Sequence, residues 1–188
     1  MKKTYFHGTC ADNLPFILEN GLVCDDTKVW SCSRDAVYLW DSEKLVEYEC
    51  REDDELNQDE VLQIGFRFAS ESAKFAAATS KDCRLVVVEV SIDESEVCMD
   101  DSHENMGHAS CVYRNILPEE ITSIRISNDL SLLKGYFLAQ ALRNDLFDDW
   151  GISRIERKVS EVFSSAEIFI DDVEDMIEWD IVNIPQLS

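Results

Sequence analysis

Only three prolines and six glycines interrupt the 188 residues, which excludes collagen-like, low-complexity and linker-dominated architectures. No self-similar period runs through the chain, so a solenoid is excluded as well. Nowhere does an apolar run approach the ~18 residues that a membrane-crossing helix needs. The opening Met1-Lys2-Lys3-Thr4-Tyr5-Phe6-His7 lacks the apolar stretch that follows the charged start of a secretory leader. A cytoplasmic protein without a membrane partner is the expectation. Positive charge is scarce too: 17 Lys and Arg stand against 39 Asp and Glu, a net charge of −22. That balance argues against direct nucleic-acid binding, which draws its energy from cationic side chains displacing condensed counterions. The seven cysteines are odd in number and lack paired spacing, so reduced thiols rather than a disulfide scaffold are expected.

What the chain does have is a hydrophobic content of 45%, enough for a proper core. Its acid is concentrated in Asp41 to Glu60, Asp93 to Glu104 and Glu167 to Asp180. Each stretch reads as a solvated face, or as a field that speeds encounter with a basic protein partner.

Tyr5 to Thr9 reads as a strand that breaks at Gly8. Asp12 then caps a helix carrying Leu14, Ile17 and Leu18 at helical spacing, with Pro15 in its first turn and Gly21 as its stop. Val37-Tyr38-Leu39-Trp40 has strand composition, whereas Asp41 to Asp59 is charged enough to predict an exposed loop with at most a helical turn. Val61, Ile64, Phe68 and Phe75 trace a helix through to Ala78, in which Ala69, Ala73 and Ala77 permit close packing on a sheet. Arg84 to Ile92 is Val-rich on both faces at its start, as suits a central strand. Cys111 to Tyr113 and Ile121 to Ile126 are shorter strands around a turn at Leu117 to Glu120. Helical stripes follow at Leu130, Leu133, Phe137 and Ala141, at Ile155, Val159 and Val162, and at Val173 and Ile177, with Gly151 as a break.

As a bare tripeptide, His7-Gly8-Thr9 is also what an ordinary turn offers. The order of elements around it carries more. A strand ending His-Gly-Thr, a capped helix ending Asn20-Gly21-Leu22, a strand with Val37-Tyr38-Leu39, an Ala-rich helix, a Val-rich strand and Cys111-Val112-Tyr113-Arg114-Asn115-Ile116-Leu117-Pro118-Glu119-Glu120-Ile121 together resemble the ADP-ribosyltransferase superfamily. Both its poly(ADP-ribose)-polymerase-like enzymes and the RNA 2′-phosphotransferases open similarly, and the resemblance spans Tyr5 to Ile126. It implies an α+β fold with a split mixed or antiparallel sheet and flanking helices. An NAD-binding domain over residues 1–128 follows, and the helical stripes beyond it predict a helical C-terminal extension over residues 129–188 packed on it.

The physics of such a pocket is intelligible without the family. Glycine lets backbone N–H and C=O approach a carboxamide where a Cβ would collide, which makes Gly8 the candidate contact for nicotinamide. By resemblance His7 bonds a ribose hydroxyl and Thr9 adds a polar contact. An aromatic ring, here Tyr38, stacks on nicotinamide and excludes water. Ser31 and Ser33 lie just upstream on the same wall.

One departure is plain. The family's transferases place a carboxylate at the start of a late strand, where it supports the positive charge that develops as nicotinamide leaves. Before Cys111 this chain has Met106-Gly107-His108-Ala109-Ser110 instead. Glu104 is the first candidate to substitute, His108 the second as donor or base, and Ser110 the third. Arg34 and Arg114 are isolated, so the arginine-bearing pattern of the phosphotransferases is not evident. Zinc on His103, His108, Cys98 and Cys111 lacks the paired-cysteine knuckle. A Cys10–His7 nucleophile pair lacks a third orienting group. The expected activity is NAD-dependent transfer of ADP-ribose to a basic protein acceptor with release of nicotinamide. The alternatives are a catalytically degenerate NAD-binding relative, an acidic inhibitor occupying a basic or nucleic-acid-binding surface, and a plain interaction domain.

Overall fold

The computed structural model of the chain describes residues 1–24, 36–49, 56–99, 109–143 and 176–184. Its strands are β1 (Lys2–Cys10), β2 (Val37–Trp40), β3 (Leu85–Asp93), β4 (Cys98–Met99), β5 (Ala109–Val112), β6 (Ile121–Ser127) and β7 (Trp179–Ile181). The helices are α1 (Leu14–Asn20), α2 (Ser42–Glu49), α3 (Gln58–Thr79) and α4 (Lys134–Arg143). Among the described residues all seven strands join one sheet in the order β4-β5-β2-β1-β3-β6-β7, and every neighbouring pair is antiparallel. The α+β class read from the sequence is the class observed.

The Val-rich stretch is an interior strand with both faces covered: Leu85, Val86, Val87 and Val88 are all buried. Tyr5, Val37, Leu39, Val86, Val88, Val90 and Ile124 pack on one face with Ile17, Leu22 and Ile116. On the other face Phe6 and Val87 meet Ala69, while Cys10 and Leu85 meet Ala73, Ala77 and the α4 residue Phe137. Helix α3 starts at a capping box, where the Asn57 side chain accepts from the amides of Asp59 and Glu60 and the Glu60 carboxylate accepts from Asn57 N–H. Its alanine stripe seats it so closely on β1 that a Cβ on Gly8 would stand 1.8 Å from the Ala69 carbonyl oxygen. Gly21 ends α1 at φ 76°, as the sequence led one to expect.

Four local expectations are corrected. β1 does not break at Gly8 but runs on to Cys10, and Asp12 does not cap α1: its carboxylate accepts from the amides of Lys81 and Asp82. The stretch after Trp40 is not an exposed loop from its start: α2 forms there, with Leu45 fully buried and Asp41 and Ser42 nearly so. Charge density misled because Glu43 and Glu47 face solvent while Leu45 turns inward. Trp179–Ile181, in a tail expected to be helical, instead returns as an edge strand on β6, pairing Arg125 with Ile181 and Ser127 with Trp179. The short strand β4 carries no sequence pattern strong enough to have been read. By contrast Leu130, Leu133 and Phe137 are buried as their stripe predicts. The stripe of Ile155, Val159 and Val162 lies outside the described residues. Among the described residues no helix is long and apolar enough to cross a membrane.

Candidate functional site

The sheet is not equally closed along its width. β1 pairs with β3 through all nine of its residues, and β2 pairs with β5 through all four. Between β1 and β2 there is one registered pair, Phe6 with Trp40. Beyond it the two strands part, and His7, Gly8 and Thr9 border the opening on one side with Tyr38 on the other.

Strand polarity decides what faces this split. In an antiparallel pair, a residue that exchanges hydrogen bonds with its partner turns both N–H and C=O to that strand, and the next residue turns both away. The β1–β3 register continues at its ends through Ala11 N–H donating to Arg84 O and Glu94 N–H donating to Met1 O, each at 3.0 Å. Odd-numbered residues of β1 therefore face β3, and Phe6, Gly8 and Cys10 turn their backbone groups toward β2. For Gly8 those groups lie past the end of the ladder.

His7 bridges the split. Its Nδ1 lies 2.9 Å from the Tyr38 carbonyl oxygen. A carbonyl only accepts, so Nδ1 carries the hydrogen and Nε2 of the neutral ring is left as an acceptor. Burial holds the imidazole below its ordinary pKa, against the opposing effect of the Tyr38 carbonyl. The ring is thus a neutral acceptor at physiological pH. Thr9 is buried, and its hydroxyl oxygen accepts from Asn13 Nδ2 at 2.9 Å.

The pleat puts the imidazole of His7 and the ring of Tyr38 on different faces of the sheet. Gly8 and Phe6 lie on the α3 face and Trp40 packs there too, donating from Nε1 to Ser72 Oγ at 2.8 Å. Alternation sends Tyr38 to that same face and His7 and Thr9 to the opposite one, beside Tyr5. The two residues meet through a main-chain carbonyl rather than ring to ring. Cys10 likewise sits across the sheet from His7, and burial pushes its thiol pKa up, so the pair is not disposed as nucleophile and base.

Ser31, Ser33, Arg34, His103, Glu104 and His108 lie outside the described residues. Ser110 is described: it is fully buried on β5, opposite Leu39 of β2, and its Oγ accepts from Lys44 Nζ at 3.2 Å. Where the resemblance expects a carboxylate there is a hydroxyl with an ammonium on it. Lys44 was hidden from sequence reasoning inside a charged stretch, and no local pattern marks it. Arg114 is committed elsewhere: its guanidinium donates to Glu96, to both oxygens of Glu120 at 2.8 Å and to Asn115 O at 2.8 Å. Among the described residues no group of three His, Cys, Asp or Glu side chains is arranged to hold a metal ion. An open groove lined by Asp12, Arg84, Asp129 and Asp180 contains none of the candidate residues.

No protein-family model matches the chain, and neither curated proteins nor solved structures yield a match.

Proposed function

We propose that the chain binds NAD in the split between β1 and β2, as a protein of ADP-ribosyltransferase type. The observation that carries this reading is the Gly8 backbone edge turned into the split past the last ladder pair, with His7 Nε2 beside it as an acceptor. A strand edge offers one N–H and one C=O side by side. A primary carboxamide offers the complementary C=O and N–H in the same spacing, so nicotinamide can stand where the next β2 residue would have paired. Nε2 of His7 suits a ribose hydroxyl, which must donate to it. NAD supplies the glycosidic bond whose cleavage would release nicotinamide and leave ADP-ribose for an acceptor. With so acidic a chain, a basic protein is the acceptor its field would gather.

The Ser110–Lys44 contact favours a second reading, a relative that binds NAD and transfers slowly or not at all. Lys44 brings a positive charge to the position where the family pattern has a negative one, and loss of one preorganised contact costs about a hundredfold in rate or more. Glu104 is the residue that would restore transfer.

Calorimetric titration with NAD and with nicotinamide tests the binding claim. Both should bind, and His7→Ala should weaken NAD more than nicotinamide because only the former carries the ribose. Absence of binding by either ligand disposes of the reading. Labelled NAD with a basic protein acceptor then separates the two versions: transfer that Glu104→Gln abolishes supports the enzyme, and binding without transfer supports the silent relative.

A further inference from the structure

We propose that Cys98 and Cys111 are a dithiol site at the β4 edge of the sheet, which a small-molecule disulfide oxidises reversibly to a cross-strand disulfide. The inference goes beyond the NAD reading and does not rest on it.

Register makes the pair. β4 lies against β5 with Cys98 opposite Cys111 and Met99 opposite Ser110. Directly opposed residues of antiparallel strands share a face, and their Cα atoms stand about 4.5–5.5 Å apart. That lies inside the span of roughly 4.4–6.8 Å that a disulfide bridges. Opposed Cβ atoms are about 4.5–5.5 Å apart and a disulfide holds them at about 3.5–4.5 Å, so closure asks for an approach of about 1 Å. β4 can supply it, being two residues long and held at the sheet edge by β5 alone among the described strands. No other two cysteines among the described residues are registered partners; Cys10, for instance, stands opposite Leu85. Neither Cys98 nor Cys111 is in a disulfide in the structure, so the reduced pair is the state observed.

Exposure divides the roles. Cys98 is exposed whereas Cys111 is fully buried, so a dissolved disulfide reaches only the first of them. The Cys98 thiolate attacks one sulfur of RSSR, forms a mixed disulfide and expels RS⁻. Cys111, directly opposite, gives up its proton and attacks Cys98 Sγ, which expels the second RS⁻. Each departing thiolate takes up one of the two protons that the cysteines lose, so the protein dithiol and RSSR become the protein disulfide and two RSH. The protein sulfurs are oxidised and those of RSSR reduced. A buried thiol that solvent cannot reach is thus oxidised through its cross-strand neighbour. The approach asked of β4 also favours the return, because departure from relaxed geometry makes a disulfide easier to reduce. Cys111 is registered with Tyr38 on its other side, so the bond ties the sheet edge to the strand that flanks β2.

The test is incubation of the full chain with oxidised glutathione at about pH 8, where an ordinary thiol is partly thiolate, followed by thiol blocking and peptide mapping by mass spectrometry. The parent should yield a peptide linking Cys98 to Cys111, with no glutathione kept on Cys98, and dithiothreitol should abolish the link. Cys111→Ala should halt the exchange at its first step, with glutathione retained on Cys98. Cys98→Ser should leave Cys111 unmodified. Circular dichroism verifies that the variants are folded, and Cys111→Ser serves if Cys111→Ala is not. A parent in which Cys98 keeps glutathione, stays reduced or joins a different cysteine overturns the proposal, as does modification of Cys111 in folded Cys98→Ser.

Discussion

Replacing Gly8 by alanine tests the packing on which the site is built. A methyl group there would meet the Ala69 carbonyl oxygen at 1.8 Å and Ala73 N at 2.8 Å, where ordinary contact begins near 3.4 Å. Both atoms belong to the backbone of α3, so no side chain can rotate away. Strand and helix must separate by about 1.6 Å, which in an interior packed to crystal density loosens the whole contact. Ala69, Ala73 and Ala77 are fully buried in that contact and would share the loss. Overpacked cores answer with about 1–3 kcal/mol, and a rigid backbone partner puts Gly8→Ala at the top of that range, about 3 kcal/mol. For a chain of this length that corresponds to a melting temperature lower by about 6–12 °C. Urea unfolding followed by circular dichroism measures it directly. A variant within about 0.5 kcal/mol of the parent, the scatter of neutral surface changes, would refute the account of why glycine stands here. It follows that loss of NAD binding in Gly8→Ala says nothing about ligand contact unless the melt is intact.

Three further outcomes are expected. Because burial lowers the His7 pKa, the unfolded chain takes up a proton near pH 6.5 before the folded one does, so His7 costs stability as pH falls below that value and costs nothing above it; unfolding midpoints between pH 8 and 5 should fall more steeply for the parent than for His7→Gln. Arg114→Glu should leave NAD affinity within about twofold, since its donors are consumed by Glu96, Glu120 and Asn115, yet lower stability by about 1 kcal/mol through lost pairing and like-charge crowding, seen by urea titration. Removing the cap of α3 with Asn57→Ala should cost about 1 kcal/mol on the same assay.

How much was legible depends on how local each cause is. The strand from Tyr5, the stop at Gly21, the Ala stripe of α3 and the Val-rich strand are written in periodicity and turn chemistry, and each appears where the residues put it, save that β1 runs on through Gly8 to Cys10. Gly8 was legible as a glycine with a reason, but its observed reason is a helix sixty residues away, and only the alanines at 69 and 73 hinted at that partner. β7 was not legible, because three residues bordered by charge acquire strand character only from the edge of β6 they pair with. Neither was Lys44, whose significance comes from Ser110 on a different strand. Face is the subtlest case: His7 and Tyr38 are neighbours, but the register of β1 against β2 decides which side each ring takes, and one step of register reverses it.

The split itself follows from unequal packing of α3 on the two strands. At Gly8 the helix backbone rests on the backbone of β1, with no side chain between them. On β2 the helix is held off by Trp40, whose indole lies against Phe68 with ring centroids 5.2 Å apart and is pinned to Ser72. One straight helix cannot lie at backbone distance from the first strand and at indole distance from the second while both remain in a flat ladder. Phe6 and Trp40 still pair because both carry large rings to the helix at that level, meeting Phe66 and Phe68. One pair further on, a glycine faces a tyrosine, the heights diverge, and the ladder stops. The imidazole of His7 then closes on the Tyr38 carbonyl that the ladder leaves behind. A binding edge made this way needs no inserted loop, and its width is set by the difference in bulk between Gly8 and the aromatic residues of β2.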